Sequence, residues 1–213
     1  KEDITDQAQF LDSSAISREH GITIKLAPVR MEYKIPSGST SSPQSNSDFV
    51  LNLIDTPGHV DFSYEVVRTL YACEGAVLLV DATKGVQAQT VANYNFAKKL
   101  GLTIIPVINK IDLPTANIEK VEQYIVDTFG FPASPAGGEK RSILKISAKT
   151  GQGVSELIEQ VIEQVPAPSG SPESPTQALI FDSIYDEHRG IVIYVRLKNG
   201  KINYLMSMLD DKI

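Results

Sequence analysis

The chain has 213 residues, 42% hydrophobic and 22% charged, with a formal net charge of -6. That is an ordinary globular composition, enough for one good core and part of another, and it excludes a bulk basic field that would draw in nucleic acid. The single cysteine, Cys73, excludes an intrachain disulfide, and no apolar run approaches the roughly 20 residues a membrane span needs.

Residues 1–20 are polar and read as a loop with a short apolar segment at Gln9 to Leu11. Gly21 to Leu26 opens a β-rich segment that runs to about Lys34. Residues 35–48, rich in Ser, Pro and Gly, predict a loop joining two antiparallel strands. The second of these strands is Phe49 to Ile54, which ends in Asp55-Thr56-Pro57-Gly58-His59. Next comes a helix opening near Asp61, with apolar positions at Phe62, Val66, Leu70 and Cys73. Cys73 on that apolar face reads as a structural thiol. Ala76 to Asp81 is an unbroken apolar run, as expected of a strand covered on both faces.

Gln87 to Leu100 predicts a helix, Thr103 to Ile108 another buried strand, and Ile118, Val121 and Ile125 a further helix. Pro106 is awkward in a central ladder and predicts an irregularity there. A Pro/Gly loop spans Phe131 to Arg141, followed by a strand from Ile143 to Ser147. Val154, Leu157, Ile158, Val161, Ile162 and Val165 follow the helical spacing most closely of all. Strands alternating with helices predict an α/β fold, with a mainly parallel sheet and helices on both faces.

Residues 166–176 hold four prolines and read as a stiff linker between domains. Beyond them, Ala178 to Tyr185, a turn at Asp186 to Gly190, Ile191 to Leu197 and an Asn199-Gly200 turn signal predict antiparallel hairpins. The expected organisation is a nucleotide-binding domain over 1–165, the linker, and over 177–213 the start of an antiparallel β-barrel domain.

Three loops then fall at the carboxyl ends of successive parallel strands, where open α/β sheets bind ligands. They are Asp55 to His59, Asn109-Lys110-Ile111-Asp112, and Ser147-Ala148-Lys149. Asp55 is a hard oxygen donor suited to Mg²⁺, an ion that keeps several waters. Gly58 lets its N–H approach a phosphate oxygen unobstructed. Asp112 can accept hydrogen bonds from guanine N1–H and its 2-amino group; adenine, with no such amino group and a lone pair at N1, would leave the carboxylate unpaired. The stems of Lys110 and Lys149 can cover the two faces of a base. The Asn109 amide can tie the loops together, and the Ala148 N–H can donate to guanine O6. Taken singly, Asn-Lys-x-Asp is also an ordinary polar turn and Ser-Ala-Lys an ordinary helix start; all three in this order point to guanine nucleotide. The three histidines are too dispersed for a zinc site.

These motifs resemble those of translational GTPases. Arg18 to Ile24 is similar to the first switch of that superfamily, and Asp55 to Phe62 to its second. The continuation Ser63 to Arg68, then Ala72 to Ala76 and Gly85 to Thr90, resembles the LepA, or elongation factor 4, family in particular. The resemblance spans roughly residues 10–198. It implies a P-loop-NTPase-type sheet and a GTPase that turns GTP into GDP and phosphate. It also implies a Mg²⁺ site at Thr23 and Asp55, and nucleotide contacts from Asp55, Thr56, Pro57, Gly58, His59, Asn109, Lys110, Ile111, Asp112, Ser147, Ala148 and Lys149. His59 would orient the attacking water, as a Gln does in small GTPases, and Ile22 would help gate it. The implied partner is the ribosome, with action extending to reverse translocation. A monomer in the cytoplasm or an organellar matrix is implied too, with peripheral membrane association left open.

The sequence departs from that family in two respects: after Asn199-Gly200, Lys201 to Ile213 does not read as a clean continuation of the barrel, and the phosphate loop is missing. No Gly-x-x-x-x-Gly-Lys-[Ser/Thr] occurs in the 213 residues. That phosphate loop is expected upstream of Lys1, where the chain opens without Met, and without it these residues are expected not to hydrolyse GTP efficiently. Two other readings stay open: a non-catalytic guanine-nucleotide-binding module, and another translational GTPase such as elongation factor G.

Overall fold

A computed structural model of the chain describes residues 26–34, 48–58, 60–132 and 143–202. The chain divides into two compact units, Lys1–Pro166 and Ala167–Ile213.

In the first unit, strands β1 (Ala27–Lys34) and β2 (Asp48–Asp55) pair antiparallel, with Ala27 opposite Asp55 and Lys34 opposite Asp48. The hairpin predicted around residues 35–48 is present, although β1 starts at Ala27; residues 21–25 lie outside the described part. A 3-10 turn at Val60–Phe62 leads into helix α1 (Ser63–Leu70), which buries Val66, Thr69 and Leu70. Cys73 lies past the helix end, partly buried, with its Sγ donating to the Thr69 carbonyl at 3.3 Å.

A three-stranded parallel sheet follows, ordered β3 (Gly75–Asp81), β4 (Thr103–Asn109), β5 (Leu144–Lys145). Helices α2 (Ala88–Lys99) and α3 (Ile118–Phe129) cover one face of it. Tyr94, Val121, Ile125 and Phe129 pack there against Leu78, Val80 and Ile108. The spacing of Val121, Ile125 and Phe129 is one side chain per helical turn, which places all three on one stripe. Gly130 stops α3 in the left-handed conformation, φ 76°, where glycine carries no Cβ penalty. On the opposite face, helix α4 (Val154–Gln164) sets Leu157 and Val161 over Ile105, Val107 and Ile146.

Three expectations change. First, β3 is not covered on both faces: Val77 and Leu79 remain 39% and 52% exposed. They share a face with Ile105 and Val107, over which α4 sets Leu157 and Val161, while its C-cap Val165 reaches β3 only at Gly75. Second, β5 is two residues long rather than five; Ile146 and Ser147 leave the ladder to shape the next loop. Third, Pro106 sits mid-strand without an irregularity in the register. The carbonyl of Ile108 accepts from Ile146 N–H at 2.8 Å on the β5 side, so Pro106, two residues earlier, also faces β5. Pairing with β5 begins only at Val107, so no ladder donor is missed.

In the second unit, β6 (Gln177–Asp186) and β7 (Gly190–Asn199) form the predicted antiparallel hairpin. Its turn is closed by Asp186, whose Oδ1 accepts from the N–H groups of His188 and Arg189 at 2.9 and 2.8 Å. These bonds hold the Asp186 carboxyl below its ordinary pKa. The Pro-rich segment is not a free spacer along its whole length. Ser171 N–H donates to Asn199 Oδ1 at 3.1 Å, and Gly200 N–H donates to the Ser171 carbonyl at 2.9 Å. Asn199-Gly200 therefore closes onto residue 171, and the expected continuation past residue 202 lies outside the described residues.

Candidate guanine-nucleotide site

The strand ends position the site. The rim of the parallel sheet carries Asp81 at the end of β3, Asn109 at the end of β4 with Lys110 to Asp112 following it, and Ser147 to Lys149 after β5. Parallel register places Asp81 opposite Asn109.

Two of the three predicted loops meet. Ser147, 0% exposed, donates from Oγ to Asp112 Oδ1 at 2.7 Å. Ala148 N–H donates to Asn109 Oδ1 at 3.0 Å. Residues 35 and 39 positions apart are thus joined directly. The loop after β5 is itself closed: Ser147 N–H donates to Gln152 O at 3.0 Å, Gly151 N–H to Ser147 O at 2.9 Å, and Thr150 N–H to Ser147 Oγ at 3.1 Å. Gly153 makes this closure possible. It starts α4 at φ 74°, and a Cβ there would meet the Lys145 carbonyl at 2.7 Å.

Asp112 is left solvent-facing, and among the described residues its Oδ2 has no protein partner. Ile111 N–H reaches the Ile146 carbonyl at 3.4 Å, bracing the same turn. Lys149 is exposed. Ala148 N–H, expected to donate to guanine O6, is engaged by Asn109 in this geometry, so that role requires the bond to be shared.

The third loop stands differently. Asp55 ends β2, part-buried, with Thr56 part-buried, Pro57 buried and Gly58 exposed. The hairpin of β1 and β2 forms its own sheet, and no pairing joins it to β3 among the described residues. Thr23, His59 and the motif Arg18 to Ile24 lie outside the described residues. Among the described residues no group of three or more His, Cys, Asp or Glu could hold a metal ion. Mg²⁺ in phosphate sites takes one or two protein carboxylates, with water and phosphate supplying the rest. A carboxylate at the end of a strand, such as that of Asp55, fits such a role.

Sequence reasoning missed one part of the rim. Asp81 Oδ2 accepts from Lys110 Nζ at 2.7 Å, while its Oδ1 accepts from Thr83 Oγ1 at 2.6 Å and Thr83 N–H at 2.8 Å. Burial pushes the Asp81 carboxyl up, but the hydrogen bonds from Lys110 and Thr83 and the lysine charge outweigh it, bringing its pKa from 3.8 to about 2. The available signal was the one used for Asp55: a carboxylate ending an apolar strand. A cleft of about 390 Å³ opens between Ala82 to Val86 and the first half of α3, lined there by Asn117, Lys120 and Tyr124. None of the predicted nucleotide-contact residues lines it, whereas Gly85 and Val86, from the segment Gly85 to Thr90, do.

Comparison with known proteins bears on this geometry. The family model for the elongation factor Tu GTP binding domain matches residues 1–167. The chain belongs to that family. Within it, the chain is similar to elongation factor 4 proteins. It is 51% identical over 197 residues to elongation factor 4 of Mycobacterium leprae, covering 92% of this chain and 29% of that protein. It is 52% identical over 196 residues to that of Streptococcus equi subsp. equi, covering 92% and 30%. The chain therefore spans about 30% of the length of these relatives. Solved structures share the fold. A Thermus thermophilus protein superposes with a TM-score of 0.66 at 19% identity, covering 89% of this chain and 39% of that one. The bacterial selenocysteine-specific elongation factor EF-Sec also gives 0.66, at 21% identity, with 89% and 30% covered. No helix among the described residues is long and apolar enough to cross a membrane.

Proposed function

We propose that this chain supplies the guanine-nucleotide-binding domain of a ribosome-dependent GTPase of the elongation factor 4 type, which hydrolyses GTP to GDP and phosphate while acting on the ribosome, including back-translocation. Residues 1–165 would form the GTP-binding domain and 177–213 the start of a β-barrel domain. The observation that carries the reading is the pair of bonds joining the two base-recognition loops, Ser147 to Asp112 and Ala148 to Asn109.

Asp112 reads the guanine edge through the oxygen that Ser147 leaves open, with Lys110 and Lys149 against the faces of the base. Adenine would strand that carboxylate, a loss larger than a missing apolar contact. Asp55 and Thr23 would hold Mg²⁺, which when bound neutralises charge on the β- and γ-phosphates. Thr56, Pro57 and Gly58 carry the chain past the γ-phosphate, where the Gly58 N–H donates. His59 orients the water for in-line attack. Thr23 and Gly58 are held while the γ-phosphate is present and released when it leaves, which makes nucleotide state a switch. The family relationship supports action on the ribosome, as a monomer in the cytoplasm or an organellar matrix, with any membrane association peripheral.

The test is ribosome-stimulated turnover by the intact protein. His59→Ala is expected to leave GTP binding nearly unchanged and to lower stimulated turnover by on the order of 10² or more, the scale of a positioned catalytic group. Full stimulated turnover in that variant would remove His59 from the mechanism.

A further inference from the structure

We propose that Asp81 is a positioning residue for the purine site: its carboxylate anchors the ammonium of Lys110, so that the lysine stem is fixed where the face of the base is to be covered. The proposal rests on the guanine reading above.

The geometry is specific. The two oxygens of Asp81 are divided between partners, Oδ1 taking both donors of Thr83 and Oδ2 taking Lys110 Nζ. Thr83 thus fixes the carboxylate and the carboxylate fixes the lysine. The arrangement follows from sheet register, since Asp81 lies opposite Asn109 and Ala82 N–H donates to the Asn109 carbonyl at 2.9 Å. The backbone is set for it as well. Lys110 has φ 66°, the non-glycine residue in the left-handed region among the described residues. Residues with a Cβ visit that region rarely. It is held there by its own N–H donating to Asn109 Oδ1 at 2.8 Å and by Leu113 N–H donating to its carbonyl at 3.2 Å.

An exposed lysine would ordinarily sample many rotamers, and an exposed ion pair would contribute little. Here the Lys110 side chain is 50% exposed while its end is anchored to a carboxylate only 19% exposed. The methylenes are therefore presented to solvent in one orientation, two residues from Asp112. A stem ordered before the ligand arrives gives up less entropy on binding. The anchoring also neutralises the ammonium, so Lys110 acts at this rim as an apolar cover.

The experiment measures dissociation constants of GDP and IDP for the intact protein by competition with a fluorescent GDP. The variants are Asp81→Asn, Lys110→Ala, the double variant, and Thr83→Val as a milder perturbation of the same anchor. IDP lacks the 2-amino group read by Asp112 but offers the same faces. Asp81→Asn is expected to weaken GDP and IDP by the same factor, about tenfold, leaving their ratio unchanged. The double variant is expected to be no weaker than Lys110→Ala alone, because coupled residues are not additive. Thr83→Val is expected to weaken both ligands in the same direction by a smaller factor, and it serves alone if Asp81→Asn does not fold. Wild-type GDP affinity in the Asp81 and Thr83 variants, additive losses, or an altered GDP-to-IDP ratio would overturn the proposal. A wild-type protein that does not prefer GDP over ADP would show the guanine reading itself to be wrong, and the positioning role would fall with it.

Discussion

Removing one hydroxyl should loosen both proposed base-recognition loops at once. Ser147 Oγ donates to Asp112 Oδ1 at 2.7 Å and accepts from Thr150 N–H at 3.1 Å, and the residue is fully buried. A hydrogen bond to a charged group contributes about 1.5–3 kcal/mol, and a neutral one about 0.5–1.5. Asp112 and Thr150 are both solvent-facing, so water can replace part of each bond, and the lower half of those ranges applies. Ser147→Ala should therefore destabilise the domain by about 2 kcal/mol. For a unit of this size that is a fall in Tm of roughly 4–8 °C, measurable by scanning calorimetry. The same change frees Asp112 to rotate, and a positioning loss of about 1.4 kcal/mol would weaken GDP roughly tenfold. Ser147→Thr, which keeps the hydroxyl, should recover more of the GDP affinity than of the Tm, since its extra methyl enters a filled site. A Ser147→Ala protein with unchanged Tm and unchanged GDP affinity would refute the claim that this bond assembles the rim.

Two further outcomes follow from the same geometry. Gly153→Ala forces a Cβ to 2.7 Å from the Lys145 carbonyl in a left-handed backbone. It should lower stability by roughly 2 kcal/mol or more, with GDP binding impaired through displacement of the loop it closes; wild-type urea unfolding would contradict this. The Asp81 anchor gives a pH signature. Its pKa is lower in the fold than its ordinary 3.8, so its stabilisation is fully present above about pH 4 and is lost as pH falls through about 2. With Lys110 half exposed to screening, it amounts to about 1–2 kcal/mol. The difference in unfolding free energy between wild type and Asp81→Asn should therefore be present at about pH 6 and vanish near pH 2. A difference that grew on acidification would have the wrong sign.

Much of the fold was legible because the parallel strands are apolar runs closed by polar loops, and because α3 and α4 carry clean helical stripes. The exposed face of β3 was not legible. Val77 and Leu79 are as apolar as Leu78 and Val80, and only the cover that α2 and α3 give the other face distinguishes them. Nor was the brevity of β5, since Ile146 remains buried while its backbone has already turned into the loop. In the site, Asn109, Asp112, Ser147 and Ala148 could be placed by motif, and their mutual hydrogen bonds follow from strand order. The Asp81 anchor escaped because it joins residues 29 apart through register, which no local spacing encodes. The occupation of Ala148 N–H by Asn109 escaped for the same reason: one donor has two chemically reasonable acceptors, and only geometry chooses.

The account depends above all on Asp112 reading the edge of a guanine, and nucleotide exchange by Asp112→Asn in the intact protein addresses this directly. An amide presents a donor where the carboxylate presented an acceptor, so preference should pass from GDP to XDP in a binding competition, with Tm little changed because the Ser147 hydroxyl still finds an oxygen. An Asp112→Asn protein that still favours GDP over XDP as wild type does would contradict it.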